Sequence, residues 1–350
     1  MKQAITGCLL GTAVGDAMGL PYEGLKSPRG VRLLGEPDTH HFIFGHGMVS
    51  DDTEHTCFVA QSLIASGQDP EMFSEHLARA LREWLLTFPA GIGWATLRAV
   101  LRLWMGWPPL RSGVFSAGNG PAMRSPLLGV VMGHDPEMLR AFVRAATVIT
   151  HTDPKAFQGA LAVAIAAWIS ATSDVIRPDE YMEKLSETLG EGAGEFLRRI
   201  GEACESAESE EALSTFAAAI GCGNGISGYM FHTIPCVIQT WLRHQKDFQK
   251  GISEIISAGG DADTTAAILG GIIGAKVGKN GIPAEWLQNI WEWPRSAEWM
   301  ESLARALWES CEKGIMTCPP YFRPGLPLRN FVFLLIVLLH GFRRLFPPYG

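Results

Sequence analysis

The stretch "AGGDADTTAAILGGIIGA", residues 258 to 275, decides how the rest of the chain is read. A double glycine leads into Asp261, Asp263 and Thr264, and an apolar run follows them directly. The run shows no two-residue alternation, so it reads as a helix, with Gly270, Gly271, Gly274 and Ala275 on adjoining faces. Glycine inside a helix costs about 1 kcal/mol relative to alanine. Close approach of a neighbouring helix is the simplest compensation. The stretch therefore predicts a central, tightly packed core helix with carboxylates at its start. As a membrane dimer face it is too short.

"MVSDDTEHTCFVAQSL", residues 48 to 63, repeats the design with Asp51 and Asp52 ahead of a second apolar run. Helix capping accounts for one short polar residue, with Ser50 or Asp51 accepting a backbone N–H. It does not require four carboxylates in two matched segments. Alternating acids in a loop can aim two oxygens at one point, and Thr53, Thr264 and Ser50 add hydroxyls. An all-oxygen donor set suits Mg²⁺, Mn²⁺ or Ca²⁺, and suits zinc less. The chain has no HExxH and no Cys/His ligand cluster. Four gathered anions repel one another and are costly to desolvate, and two divalent cations would neutralise them.

Helical periodicity extends in both directions. "PEMFSEHLARALREWLL" (70 to 86) carries Phe73, Leu77, Leu81 and Leu85 on one stripe. "PEMLRAFVRAATVIT" and "DPKAFQGALAVAIAAWIS" read the same way, each with proline near the first turn. Strand patterns are nearly absent, so the expected fold class is all-α. The chain has 350 residues, 47% apolar and 19% charged, with a formal net charge of −7. That composition supports one large core and argues against binding a nucleic-acid backbone. Seven cysteines without CxxC spacing fit reduced thiols and predict a cytoplasmic protein. The apolar N-terminus is broken by Gly11, Gly15 and Asp16, which excludes a signal-peptide reading.

No boundary stands out before about residue 310, so 1–310 is expected to form one domain. Residues 311–350 hold a proline-rich segment and the run "FVFLLIVLL" (331 to 339). As a helix that run extends about 14 Å, short of the roughly 20 residues a spanning helix needs. It is expected to dock on the body as a helix or strand. Weak membrane contact through 331–344, helped by Arg343 and Arg344, is the alternative. "WLQNIWEWPRSAEW" invites an adenine-stacking reading, but aromatics at that spacing more often pack helices.

Five motifs in order resemble the ADP-ribosylglycohydrolase family. They are "GCLLGTAVGDAMGLPYEGL", "SDDTEHT", "GNGPAMR" (118 to 124), "THTDP" (150 to 154) and "GGDADTTAAILGGIIGA". The likeness runs from about residue 4 to 285. It implies a single compact all-α domain with a binuclear metal cleft. It also implies that Thr53, Asp51, Asp52, Asp261, Asp263 and Thr264 hold two Mg²⁺ or Mn²⁺ ions. The implied activity is cleavage of the glycosidic bond between ADP-ribose and a modified target, a protein side chain or other conjugate, with ADP-ribose as product. Water attacks the anomeric carbon. Glu23, Asp52 and Asp261 are the candidates for the catalytic work, Glu23 in acid/base chemistry or gating.

Gly93, Ser116, Gly118, Asn119, Gly120 and His151 are the candidates for substrate binding, because glycines expose backbone N–H groups to anions. For His151 a satisfied structural role stays open. Arg124 either pairs with a phosphate or braces a core carboxylate, and Asp16 is expected to support the metal site. The segment "PAGIGW" (89 to 94) lacks the acid that some relatives carry, which weakens an arginine-linked substrate. A monomer is expected. An ADP-ribose-binding protein with little turnover, or a hydrolase of another ribosyl conjugate, is the rival reading.

Overall fold

The structure, a computed structural model, describes residues 1–190 and 192–347. Its organising feature is a pair of helices, the opening helix Lys2–Gly19 and the glycine-rich helix Ala262–Val277. The opening helix carries Gly7, Gly11, Gly15 and Gly19 at four-residue spacing, one face of a helix. Its partner answers with Gly274, Gly270, Ala266 and Ala262 in reverse order, so the two run antiparallel. A Cβ added at Gly11 would lie 2.2 Å from the Gly270 carbonyl oxygen, and one at Gly15 would lie 2.0 Å from that of Ala266. Backbone touches backbone, and the helix-propensity cost of the glycines is offset by this contact.

The other helices pack around that pair. Pro154–Thr172 is buried along most of its length, and Asp51–Ser66, with Cys57, Phe58 and Ile64 buried, lies against the opening helix. Among the described residues the only strands are Leu25–Lys26 and Gly259–Gly260, paired antiparallel with Leu25 opposite Gly260. The fold is all-α and compact, as the sequence predicts.

The antiparallel pairing has a consequence for function. The C-terminal end of the opening helix, at Gly19, meets Ala262 and Asp263 at the start of the glycine-rich helix. Asp16, one turn earlier and fully buried, accepts the backbone N–H of Ser50 at 2.9 Å and that of Thr53 at 3.1 Å. It thereby ties the start of Asp51–Ser66 to the same end of the molecule.

The tail differs from its expected length. Helix Ala297–Lys313 runs through residue 310, and a further helix covers Gly325–Arg343, 19 residues in all. Together with Lys2–Tyr22 and Pro154–Thr172, it is long and apolar enough to cross a membrane by length and composition. The nine-residue apolar run understates the helix because polar residues at both ends turn inward and extend it. Arg329 pairs with Glu292, both buried, and donates to the Val49 carbonyl at 2.6 Å. Asn330 donates to the Thr87 carbonyl at 2.9 Å. Phe333 and Ile336 pack with Leu20, Phe42 and Met48 in a small second cluster. The opposite face stays open: Leu328, Phe331, Leu335, Leu338, Leu339 and Phe342 are 45–69% exposed. The last three residues of the 311–350 segment, 348–350, lie outside the described residues.

Candidate functional site

The two acidic segments meet. Thr264 Oγ1 donates to Asp52 Oδ2 across 3.2 Å, joining residues 212 positions apart. Asp51, Asp261, Asp263, Thr264 and Ser50 line one cleft of about 480 Å³, a size suited to a nucleotide-sized ligand. Glu23 stands exposed at this cleft, delivered by the turn that follows the opening helix.

Asp52 sits behind the wall, buried. Its Oδ2 accepts from Ser50 Oγ at 3.1 Å as well as from Thr264, while its Oδ1 has no partner. Thr53 departs from its expected place. Its hydroxyl donates to Asp16 Oδ2 at 2.5 Å, and it does not line the cleft. The reason is local: Ser50 is the N-cap, accepting from the Asp52 backbone at 3.2 Å, whereas Thr53 lies in the first turn facing the opening helix. The hydroxyl that this segment presents to the cleft is therefore Ser50's.

The acids are electrostatically strained. Burial pushes the carboxyls of Asp51, Asp52 and Asp263 well above the usual range, and neighbouring carboxylates add to it: Asp16 for Asp51 and Asp52, Glu23 and Asp261 for Asp263. Burial also raises Asp261, and raises Asp16 to about 7, though Thr53 and Ser50 pull Asp16 back. Glu23 is raised by desolvation and then by Asp261, with Arg344 opposing.

Among the described residues, no group of three or more His, Cys, Asp or Glu side chains is arranged to hold a metal ion. The binuclear geometry that the family resemblance implies is thus not displayed. Two of the acids are held by hydrogen bonds instead: Asp261 Oδ2 by Asn119 Nδ2 at 2.6 Å, Asp263 Oδ1 by the Thr264 N–H at 2.9 Å. The donor set nonetheless fits a hard cation. It is all oxygen, it contains an unpartnered buried carboxylate oxygen at Asp52, and its acids raise one another's proton affinity.

Ser116, Gly118, Asn119 and Gly120 also line the cleft. Asn119 is more than a loop residue: its amide bridges Thr233 Oγ1, at 3.1 Å, and Asp261, locking the loop to the second acidic segment. His151 supports the loop from beneath. A Cβ at Gly118 would come within 3.2 Å of its Nε2, and one at Gly120 within 3.1 Å of its Cε1, so the ring fills the space that both glycines leave. Burial and then Arg124 push His151 down to about 3, which keeps it neutral. Thr150 Oγ1 accepts from Arg124 and lies 2.8 Å from His151 Nδ1, so one hydroxyl ties the guanidinium to the ring. Arg124 itself is fully buried, between Thr150 and His55, and braces the core. Gly91 and Gly93 lie at the exposed rim, beside Trp94.

Sequence reading missed the tail's share of the cleft. Phe333, Val337, His340, Gly341 and Arg344 line it too. No spacing within the tail points to the acids, because the contact arises only when the tail folds back.

A sequence model of the ADP-ribosylglycohydrolase family matches residues 1–315. A protein of Archaeoglobus fulgidus is 32% identical over 316 residues, covering 88% of this chain and 97% of its own length. Mouse ADP-ribosylhydrolase ARH3 is 25% identical, over 87% of this chain and 92% of its own. The ADP-ribosyl-[dinitrogen reductase] glycohydrolase of Rhodospirillum rubrum is 27% identical, over 81% and 89%. A solved structure titled ADP-ribosylglycohydrolase-related protein complex superposes with a TM-score of 0.61 at 26% identity, over 89% of this chain and 98% of that one.

Proposed function

The chain belongs to the ADP-ribosylglycohydrolase family, and from that premise we propose that it hydrolyses the glycosidic bond between ADP-ribose and a modified target, most readily a protein side chain. The observation that carries this reading is the Thr264–Asp52 contact, which brings both acidic segments into one cleft beside the Gly118–Gly120 loop.

Ser50, Asp51, Asp52, Asp261, Asp263 and Thr264 are the residues that would hold divalent cations, Mg²⁺ or Mn²⁺. Bound there, such ions would orient ribose hydroxyls and lower the pKa of a water. The remaining work belongs to the chain. Glycosidic cleavage builds positive charge on the ribose ring, and the surrounding carboxylates stabilise it. Glu23, with a raised pKa at the cleft mouth, is placed to move a proton to or from the reacting groups. The Gly118–Gly120 backbone supplies donors for the anionic and hydroxylated parts of ADP-ribose, and His151 lines the cleft beside it. Segment 89–94 offers no carboxylate to a guanidinium, so serine-linked conjugates are expected to outrank arginine-linked ones.

The test is release of free ADP-ribose from serine- and arginine-linked peptides in Mg²⁺. The wild type should turn over, and Asp261→Ala should lose at least about 100-fold. Equal binding by both proteins with no release would replace the hydrolase by a binding module.

A further inference from the structure

The turn that carries Glu23 is held from a segment beyond the family-matched residues 1–315. Arg344 Nη1 donates to the Glu23 carbonyl at 2.6 Å, and its Nη2 donates to the Pro21 carbonyl at 3.0 Å. His340 Nε2 lies 2.9 Å from the same Pro21 carbonyl; a carbonyl only accepts, so the ring proton is on Nε2. The anchorage is reciprocal. Arg29, in the helix Ser27–Leu34 that follows the Glu23 turn, donates to the Arg344 carbonyl at 2.5 Å, and Arg343 of the tail donates to the carbonyl of Leu33 in that same helix at 3.3 Å. On its other side the turn is fixed by the Gly24 N–H, which donates to the Gly260 carbonyl at 2.6 Å. The Glu23 side chain is thus suspended between the tail and the second acidic segment.

We infer that His340 and Arg344 are positioning residues for Glu23: the tail helix clamps the carbonyls of residues 21 and 23 and so fixes where the Glu23 carboxylate stands in the cleft. A planar guanidinium with parallel N–H groups spans two carbonyls two residues apart, which an ammonium cannot do as a rigid fork. His340 adds a third donor one helical turn earlier, on the same face of the tail helix. Phe333 and Val337 continue that face into the cleft, so the element that holds the turn also walls the site. The clamp's bearing on turnover rests on the hydrolase reading above; the clamp itself does not.

Hydrogen exchange on the full chain tests it. Arg344→Ala should speed exchange of the Glu23 and Gly24 amides about tenfold or more, with the amides of the opening helix unchanged. His340→Leu should loosen the same turn, and His340→Gln, which keeps an N–H donor, should restore it. Glu23→Gln should leave exchange at the turn as it is, because the clamp grips backbone. In the peptide assay Arg344→Ala should lower kcat about tenfold with KM little changed. Exchange at the turn equal to wild type would overturn the clamp, as would acceleration shared equally by the opening helix. A loosened turn with unchanged kcat would overturn the positioning role. A wild type that releases no ADP-ribose would sink the hydrolase reading, and exchange would still decide whether the tail holds the turn.

Discussion

The glycine-rich helix and the tail helix are both long and apolar, and they are held by opposite means. Ala262–Val277 is sealed on nearly every side, and its contact with the opening helix is made by the absence of side chains. Gly325–Arg343 is held on one face only, by buried Phe333 and Ile336 and by polar side chains that each reach into the body: Arg329 to Glu292, Asn330 to Thr87, His340 to Pro21. The first contact is unforgiving of any added atom. The second is modular, a row of separate anchors beneath an uncovered apolar surface. Asp261 and Asp263 sit where the unforgiving element begins, and the turn that carries Glu23 is gripped by the modular one.

The largest expected effect falls on the sealed contact. Gly11→Val would drive a side chain into the Gly270 backbone, which cannot retreat because Gly270 is itself packed against Gly11. The chain should lose more than about 3 kcal/mol or fail to fold. A denaturant midpoint near wild type would break the comparison at its root. Next comes Arg329→Met, which strands the buried Glu292 carboxylate and should cost about 3–5 kcal/mol. Adding Glu292→Leu should recover much of the loss. A single variant as stable as wild type in urea would mean that the tail is not anchored as described.

A smaller, reversible effect should come from pH. Burial holds the His340 imidazole below its ordinary 6.5; its hydrogen bond to Pro21 opposes this, and Arg344 and Arg343 reinforce it. A base with a depressed folded pKa contributes stability that is present above the unfolded value and lost as pH falls through the folded one. Protease sensitivity of the tail should therefore rise on acidification below about 6.5. His340→Gln should flatten that dependence. The smallest effect is expected on the uncovered face: Leu338→Gln should shift stability by no more than about 0.5 kcal/mol, read by thermal melting. A larger loss would show that something covers this face.

This contrast also explains what could be read from the sequence. Helix periodicity and the near absence of strand patterns were enough for the fold class, because most helices bury one clean stripe, as at Phe73, Leu77 and Leu81. The acidic segments were legible because four carboxylates exceed what capping needs. The partner of the glycine-rich helix was less so, although Gly7, Gly11, Gly15 and Gly19 carry the matching period. Thr53 was assigned a cleft position that Ser50 holds, since residue type alone does not fix which side of a first turn a hydroxyl faces. The tail's role was invisible: Arg344 finds Glu23 across 321 positions only through the folded chain. Arg124 and His151 likewise reveal their bracing roles only once burial is known.

The central claim is that the two acidic segments share divalent cations. Calorimetric titration of Mg²⁺ or Mn²⁺ into the purified chain tests it most directly, beside Asp52→Asn and Asp263→Asn with folding checked by circular dichroism. Saturable binding by the wild type, weakened by either substitution alone, is the expected result. Binding that survives both substitutions unchanged, or no binding by the folded wild type, would contradict it.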